Sequence, residues 1–223
     1  MPRFDPDHPA ITARIAAEIA AHEGIVKEAY LDSVGVWTWG LGITDASGHH
    51  VERYRDNPQT LARCLEVYCW ALEKNYAPAV VAAFEGHRLA EHEFAAALSF
   101  QWNTGAIRRA QWVQLYREGK RDAARRAIMN WCNPPALTER RRREQVLFFD
   151  GKWSGDGTAL LFDVAKPRYQ PRGGRRVAIM EPLNRLLSAP APRPDTRIAE
   201  DAADDTSCPP TNENWFTRLF ARS

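Results

Sequence analysis

The chain has 223 residues, with 30 Lys+Arg against 28 Asp+Glu and a formal net charge of +2. Its 44% hydrophobic and 26% charged residues are the proportions of an ordinary soluble globular protein. They exclude collagen, a coiled-coil rod and a wholly disordered chain; the near-neutral total does not suggest a histone-like nucleic-acid binder, though it says nothing about local patches. The length suits one domain plus a remainder, enough to bury a core without disulfide staples.

No run of about 18 apolar residues exists, so no membrane-spanning helix is predicted. The N-terminal stretch Met1-Pro2-Arg3-Phe4-Asp5-Pro6-Asp7 is acidic and proline-broken, and Arg14 and Glu18 interrupt the apolar run that follows. Neither fits a signal peptide, which predicts synthesis in the cytoplasm without export. Cys64, Cys69, Cys132 and Cys208 form no CxxC and no zinc spacing. Reduced, mostly buried thiols and no metal or other cofactor are expected.

In chain order, residues 9–23 read as a helix, with Ile11, Ile15 and Ile19 on one face. Pro9 suits its first turn and Gly24 a left-handed stop. Residues 30–41 read as a β-hairpin that turns at Ser33-Val34-Gly35. Asn57-Pro58 predicts the start of a long helix carrying Leu61, Leu65, Tyr68, Leu72 and Tyr76. Further helices are expected over 91–103 (stopped near Gly105), 112–116, 120–131 and 138–149, the last capped by Thr138. The fold class is α+β: a small N-terminal hairpin lobe, a larger helical lobe, and a mostly irregular C-terminal tail.

The chemistry-bearing stretch runs from Glu23 to Gly42. A carboxyl at a helix C-terminus meets the partial negative charge of unsatisfied carbonyls, and burial adds to that. Both favour the protonated form that a general acid needs, which points to Glu23. Asp32 precedes a turn whose amides favour the ionised form. Thr38, six residues on, is expected to face it across the hairpin. Two carboxyls pushed toward opposite protonation states are the acid/base pattern of a glycosidase. By spacing alone, the same pair also reads as two surface carboxylates.

Glu23-x8-Asp32-x5-Thr38, with Tyr30 before the Asp and Gly40-x-Gly42 after the Thr, resembles the phage-type lysozymes of glycoside hydrolase family 24. The run from Phe94 to Gly105 resembles that family's central helix, with one extra Ala before Leu98. Trp131, Leu137 and Arg140-Arg141-Arg142-Arg143-Glu144 ahead of Leu147-Phe148 resemble its closing arginine-rich helix. The three motifs stand in the family's order over about residues 8–155.

The resemblance implies a lysozyme-like fold and a peptidoglycan-degrading muramidase that lyses bacterial cells, with inversion as the usual outcome and no cofactor. Glu23 matches the acid, Asp32 the carboxylate that activates water, and Thr38 the threonine that holds that water. Gln101 matches a glutamine lining the sugar cleft, and Tyr30 and Asn103 join it as expected substrate-binding residues. Arg140 and Arg141 are the candidates to pair with Glu23; Arg142 and Arg143 read as a solvated basic face. Many family members have His where this chain has Ile43. His22, His49 and His50 read as ordinary surface or core histidines. Such an enzyme would act as a monomer and reach periplasmic peptidoglycan through a holin-type lesion or from a phage particle. The alternative reading is a lysozyme-like structural component of such a particle; a lytic transglycosylase leaves Asp32 little to do.

Between Arg108 and Arg143 stand 11 Lys+Arg and 3 Asp+Glu, a local net of 11 − 3 = +8. Such a lobe would steer the enzyme onto a polyanionic wall; no nucleic-acid motif accompanies it, so nucleic acid is not an expected partner. A boundary is predicted near Lys166, dividing a catalytic domain over 1–166 from a Pro-rich, charged tail over 167–223. The tail begins with Lys166, Arg168, Arg172, Arg175 and Arg176 and turns acidic at Glu200, Asp201, Asp204 and Asp205. Its end, residues 214–222, is aromatic and cationic and suits either a short amphipathic helix at an anionic membrane surface or a frayed terminus.

Overall fold

The computed structural model describes residues 10–188. Helix α1 (Ala13–Ala20) starts where Thr12 accepts from the Ile15 amide at 3.2 Å, a side-chain N-cap. Ile15 and Ile19 are fully buried, as their spacing predicts. The helix ends at Ala20, and a tightened turn (Glu23 N–H to Ala20 O, 3.0 Å) carries the chain out. Gly24 is not a left-handed stop. It is the first residue of β1 (Gly24–Leu31) and pairs with Leu160, a partner 136 residues away that local sequence does not announce.

A five-stranded sheet forms in the order β3-β2-β1-β4-β5. Here β2 is Trp37–Gly40, β3 is Ile43–Thr44, β4 is Thr158–Ala165 and β5 is Gln170–Ala178. β1 pairs parallel with β4, and every other neighbour is antiparallel. A bulge between Val26 and Tyr30 bends β1. Ile43, at the position where the family often has His, is buried and paired with Trp39.

The helical lobe comprises α2 (Leu61–Ala71), α3 (Ala77–Ala83), α4 (Glu91–Thr104), α5 (Gln111–Arg117), α6 (Arg121–Ala127) and α7 (Thr138–Asp150). α2 starts after Thr60, whose side chain accepts from Arg63 N, and not at Asn57-Pro58. The chain before it is tied to the sheet instead: Gln59 N–H donates to Lys27 O at 2.7 Å. The long helix expected through Tyr76 is broken by a wide turn over Leu72–Tyr76. Pro78 in the next turn has no N–H to donate back, which accounts for the break. The helix predicted over 120–131 ends at Ala127 and tightens into a 3-10 turn over Ile128–Trp131. Thr138 is already helical, and Leu137 holds the cap position. Gly105 closes α4 in the left-handed conformation, as expected.

α4 runs through the core, where Phe100 and Phe148 both meet the edge of Trp112, with centroids 5.4 and 5.1 Å away. Cys64 and Cys69 are buried free thiols, pushed up to about 12 by burial, and Cys132 is free and half-buried. Cys208 lies outside the described residues.

The boundary predicted at Lys166 is not where the described fold ends. β5 and helix α8 (Met180–Ser188) follow it, and Ile179 and Leu183 are fully buried beside α1. Polar and proline-rich composition concealed an edge strand that needs few apolar residues and a one-sided helix. The connection from α7 is fastened by buried Glu18, which accepts from Ser154 Oγ at 2.6 Å and Gly155 N at 2.7 Å. The predicted terminal helix over 214–222 and the acidic run at 200–205 lie outside the described residues.

Candidate active site

Glu23 stands immediately before β1 and Asp32 immediately after it. The bent strand is therefore the spacer between the two carboxyls. Glu23 is only 4% exposed, and its Oε1 accepts from Arg140 Nη1 of α7 at 2.7 Å. The same guanidinium donates from Nε to Glu144 Oε1 at 3.1 Å and from Nη2 to Ser99 O at 3.2 Å. Ser99 Oγ donates to Glu144 Oε1 at 2.7 Å. Burial would lower the pKa of Arg140, but the carboxylates of Glu23 and Glu144 outweigh it and raise the value.

Of the two candidate arginines, the structure brings Arg140 to Glu23. Arg141, fully buried, pairs instead with Glu144 at 2.6 Å, donates to Asn103 Oδ1, and lies 4.9 Å from the Phe100 ring centroid. Burial pushes its pKa down to about 10. Arg142 and Arg143 are exposed and pair with Glu139, the solvated face the sequence suggests. Side chains one residue apart on a helix point about 100° apart, so four adjacent arginines must divide between core and solvent. Glu144 and Ser99 are site residues that the sequence reading left without a role; the i, i+4 spacing of Arg140 and Glu144 was the available signal.

Asp32 is half-buried at the hairpin tip. Its Oδ1 accepts from the Val34 and Val36 amides at 2.9 and 2.8 Å, and its backbone N–H donates to Val36 O. Gly35, with φ +84°, lets the turn close. Thr38 pairs with Tyr30, not with Asp32, but the register puts Thr38 and Asp32 on one face, offset by two residues. Thr38 is buried and donates to Val36 O at 3.2 Å.

The three residues expected to line the sugar cleft are all buried. Gln101 Oε1 accepts from Ile107 N at 3.0 Å, Asn103 accepts from Arg141, and Tyr30 packs with Val26 and Phe162. His22 is beside Glu23, and burial and the Arg140, Arg143 and Arg141 charges hold its pKa well below the usual value. His49 is a core residue, 2.9 Å from Tyr54 Oη, and His50 is exposed. Among the described residues, no group of three or more His, Cys, Asp or Glu is arranged to hold a metal ion, and no helix is long and apolar enough to cross a membrane.

A family model described as Phage lysozyme matches residues 20–144, which include Glu23, Asp32, Thr38 and Arg140. The chain belongs to the phage lysozyme family. Membership makes this phage lysozyme relative a lysozyme-type glycosidase, with peptidoglycan as its substrate class. Its fold is similar to that of an endolysin from Escherichia coli O157:H7 phage FAHEc1, at 22% identity and TM-score 0.55, over 66% of this chain and 97% of that one. A mutant of P22 lysozyme is similar at 23% identity and TM-score 0.53, over 63% and 98%. The muramidase domain of SpmX from Asticcacaulis excentricus is similar at 23% identity and TM-score 0.52, over 63% and 97%. No curated protein sequence gives a significant match.

The basic lobe of this family member is partly neutralised in place. Arg125 pairs with Asp150, Arg121 with Glu93, and Lys120 with Glu118, besides the four arginines of α7. Among the described residues, only Arg108, Arg109, Arg117 and Arg126 of that stretch lack a carboxylate within 4.0 Å. The full +8 is therefore not available for steering.

Proposed function

We propose that the protein is a muramidase hydrolysing the β-1,4 bond between N-acetylmuramic acid and N-acetylglucosamine. The observation that carries this is the contrast between its two carboxyls: Glu23 buried on a guanidinium, Asp32 half-buried on hairpin amides. Glu23 gives its proton to the leaving glycosidic oxygen as the bond to the anomeric carbon breaks. A water attacks that carbon from the opposite face and passes its proton to Asp32. The hairpin amides occupy Oδ1, and among the described residues Oδ2 takes no protein hydrogen bond, so it is free for that water. Thr38 spends its proton on Val36 O and keeps lone pairs for the same water.

Glu23 must carry a proton to act. Burial favours the neutral carboxyl and Arg140 opposes it. Glu144 shares Arg140, which weakens that opposition. Burial of Gln101, Tyr30 and Asn103 supports a role for them in holding these groups rather than touching sugar.

Product analysis on purified peptidoglycan tests the proposal. Reducing muramic-acid ends, absent with Glu23→Gln, are the expected result. Anhydro ends, or identical clearing by Glu23→Gln, would overturn it.

A further inference from the structure

The tip of the catalytic hairpin is apolar where a turn is ordinarily polar. Val34, 65% exposed, and Val36, 45% exposed, are the only exposed large apolar side chains among the described residues. Turns favour Gly, Pro, Asn, Asp and Ser, and two valines left in water together forgo the burial that an apolar side chain gains elsewhere. We propose that Val34 and Val36 form an apolar contact for the acetamido methyl of the sugar whose anomeric carbon is attacked. The proposal rests on the muramidase reading and names the substrate group that the tip recognises.

The bonding of the turn does not call for these side chains. Asp32 Oδ1 accepts from the Val34 and Val36 amides, and Val36 O accepts from the Asp32 N–H at 3.0 Å and from Thr38 Oγ1 at 3.2 Å. On the valines these are backbone groups, which any residue but proline supplies equally. Register places the side chains. Tyr30 pairs with Thr38 and Leu31 with Trp37, so Asp32 and Val36 form the next rung. Strand alternation puts Val36 on the face of Thr38 and Asp32, with cross-strand Cβ atoms about 5 Å apart. Val34 stands in the turn itself, two residues from each.

In the muramidase mechanism a water bridges Asp32 Oδ2 and the anomeric carbon, which brings that sugar to within about 6 Å of the carboxylate. The acetamido group hangs from C2, the carbon next to the anomeric one, and ends in a methyl. Covering the valines with that methyl removes apolar surface from water and leaves Oδ2 open to the attacking water. A membrane would cover the valines equally well, but it would also desolvate the Asp32 carboxylate beside them, which is costly. The same objection applies to a second copy packed over the tip.

The test uses sacculi stripped of their N-acetyl groups and re-acylated with either acetyl or formyl groups. The formamide keeps the polar atoms and lacks the methyl. Binding is read by co-sedimentation of the full chain in a Glu23→Gln background, which does not digest its ligand. That chain should bind the acetylated sacculi about four-fold more tightly, the factor that one buried methyl gives. Adding Val34→Ser with Val36→Ser, serine being an ordinary turn residue, should reduce the preference to less than about two-fold. A preference retained by the double variant, a loss of binding equal on both kinds of sacculi, or no preference in the parent would overturn the contact. So would a loss confined to phosphatidylglycerol vesicles, or a parental dimer that the double variant loses in sedimentation velocity. Release of reducing muramic-acid ends by the chain with Glu23 intact is scored separately. Its absence would count against the muramidase reading, while the acetyl preference still tests the tip.

Discussion

Arg140 reaches Glu23 across 117 residues of chain, with Nη1 to Oε1 at 2.7 Å, while its Nε is bound to Glu144 at 3.1 Å. One guanidinium thus serves two buried carboxylates, and a second, Arg141, holds Glu144 from the other side. Both charges of each sign are matched within the cluster when Glu23 is ionised. Protonating Glu23 leaves the cluster with one positive charge in excess, and this is the cost the acid step works against.

Arg140→Met should therefore destabilise the fold by about 3–5 kcal/mol, because it takes the guanidinium from buried Glu23 and leaves Glu144 to Arg141 and Ser99. Urea unfolding measures this. Glu144→Gln is the gentler probe. It removes the second negative charge from the guanidinium that Glu23 shares, which strengthens the carboxylate form of Glu23. The alkaline limb of the kcat/KM profile should then move to lower pH; an unmoved limb would exclude coupling through Arg140.

Asp32→Asn should separate chemistry from structure. An amide oxygen at the same place still accepts from Val34 and Val36, so unfolding free energy should change by less than about 1 kcal/mol. On the proposed mechanism, in which Asp32 is the base, kcat should fall by about 10²–10⁴. A large loss of stability with this substitution would show the hairpin amides require a charge.

His22 predicts a specific acid sensitivity. Its folded pKa is depressed well below 6.5 by burial and the neighbouring arginines. The unfolded chain then binds more protons than the folded chain once pH falls through the unfolded value, so stability is lost as pH drops below about 6.5. His22→Gln should flatten that part of the curve between pH 7.5 and 5. Denaturant midpoints at the two pH values give the answer, and an unchanged slope would remove His22 as the cause.

Ending the chain at Lys166, where composition places the boundary, should be damaging. It removes β5, which pairs with β4, and the fully buried Ile179 and Leu183. Two such side chains contribute about 3–6 kcal/mol. The truncated chain should show a much lower urea midpoint than the full chain; an equal midpoint would mean that α8 packs without stabilising.

The sequence by itself determined what depends on near neighbours. Isoleucines four apart buried one face of α1, Gly105 stopped α4, and Ser33-Val34-Gly35 turned the hairpin. Those features follow from backbone period and local conformational preference. The Glu23, Asp32 and Thr38 motif was legible for the same reason, since all three lie on one helix–hairpin unit. Tertiary structure decided the rest. Gly24 became a strand residue because β4 pairs with it, and α2 began late because Gln59 is tied to Lys27. Arg140 rather than Arg141 met Glu23 because helical rotation aimed one at Glu23 and Ser99 and the other at Phe100 and Asn103. Gln101, Tyr30 and Asn103 turned inward for want of a signal that distinguishes a buried polar group from a ligand-facing one. Composition described β5 as tail, since an edge strand exposed to water needs almost no apolar residues of its own. Its pairing partner, fixed only in the folded chain, made it part of the sheet.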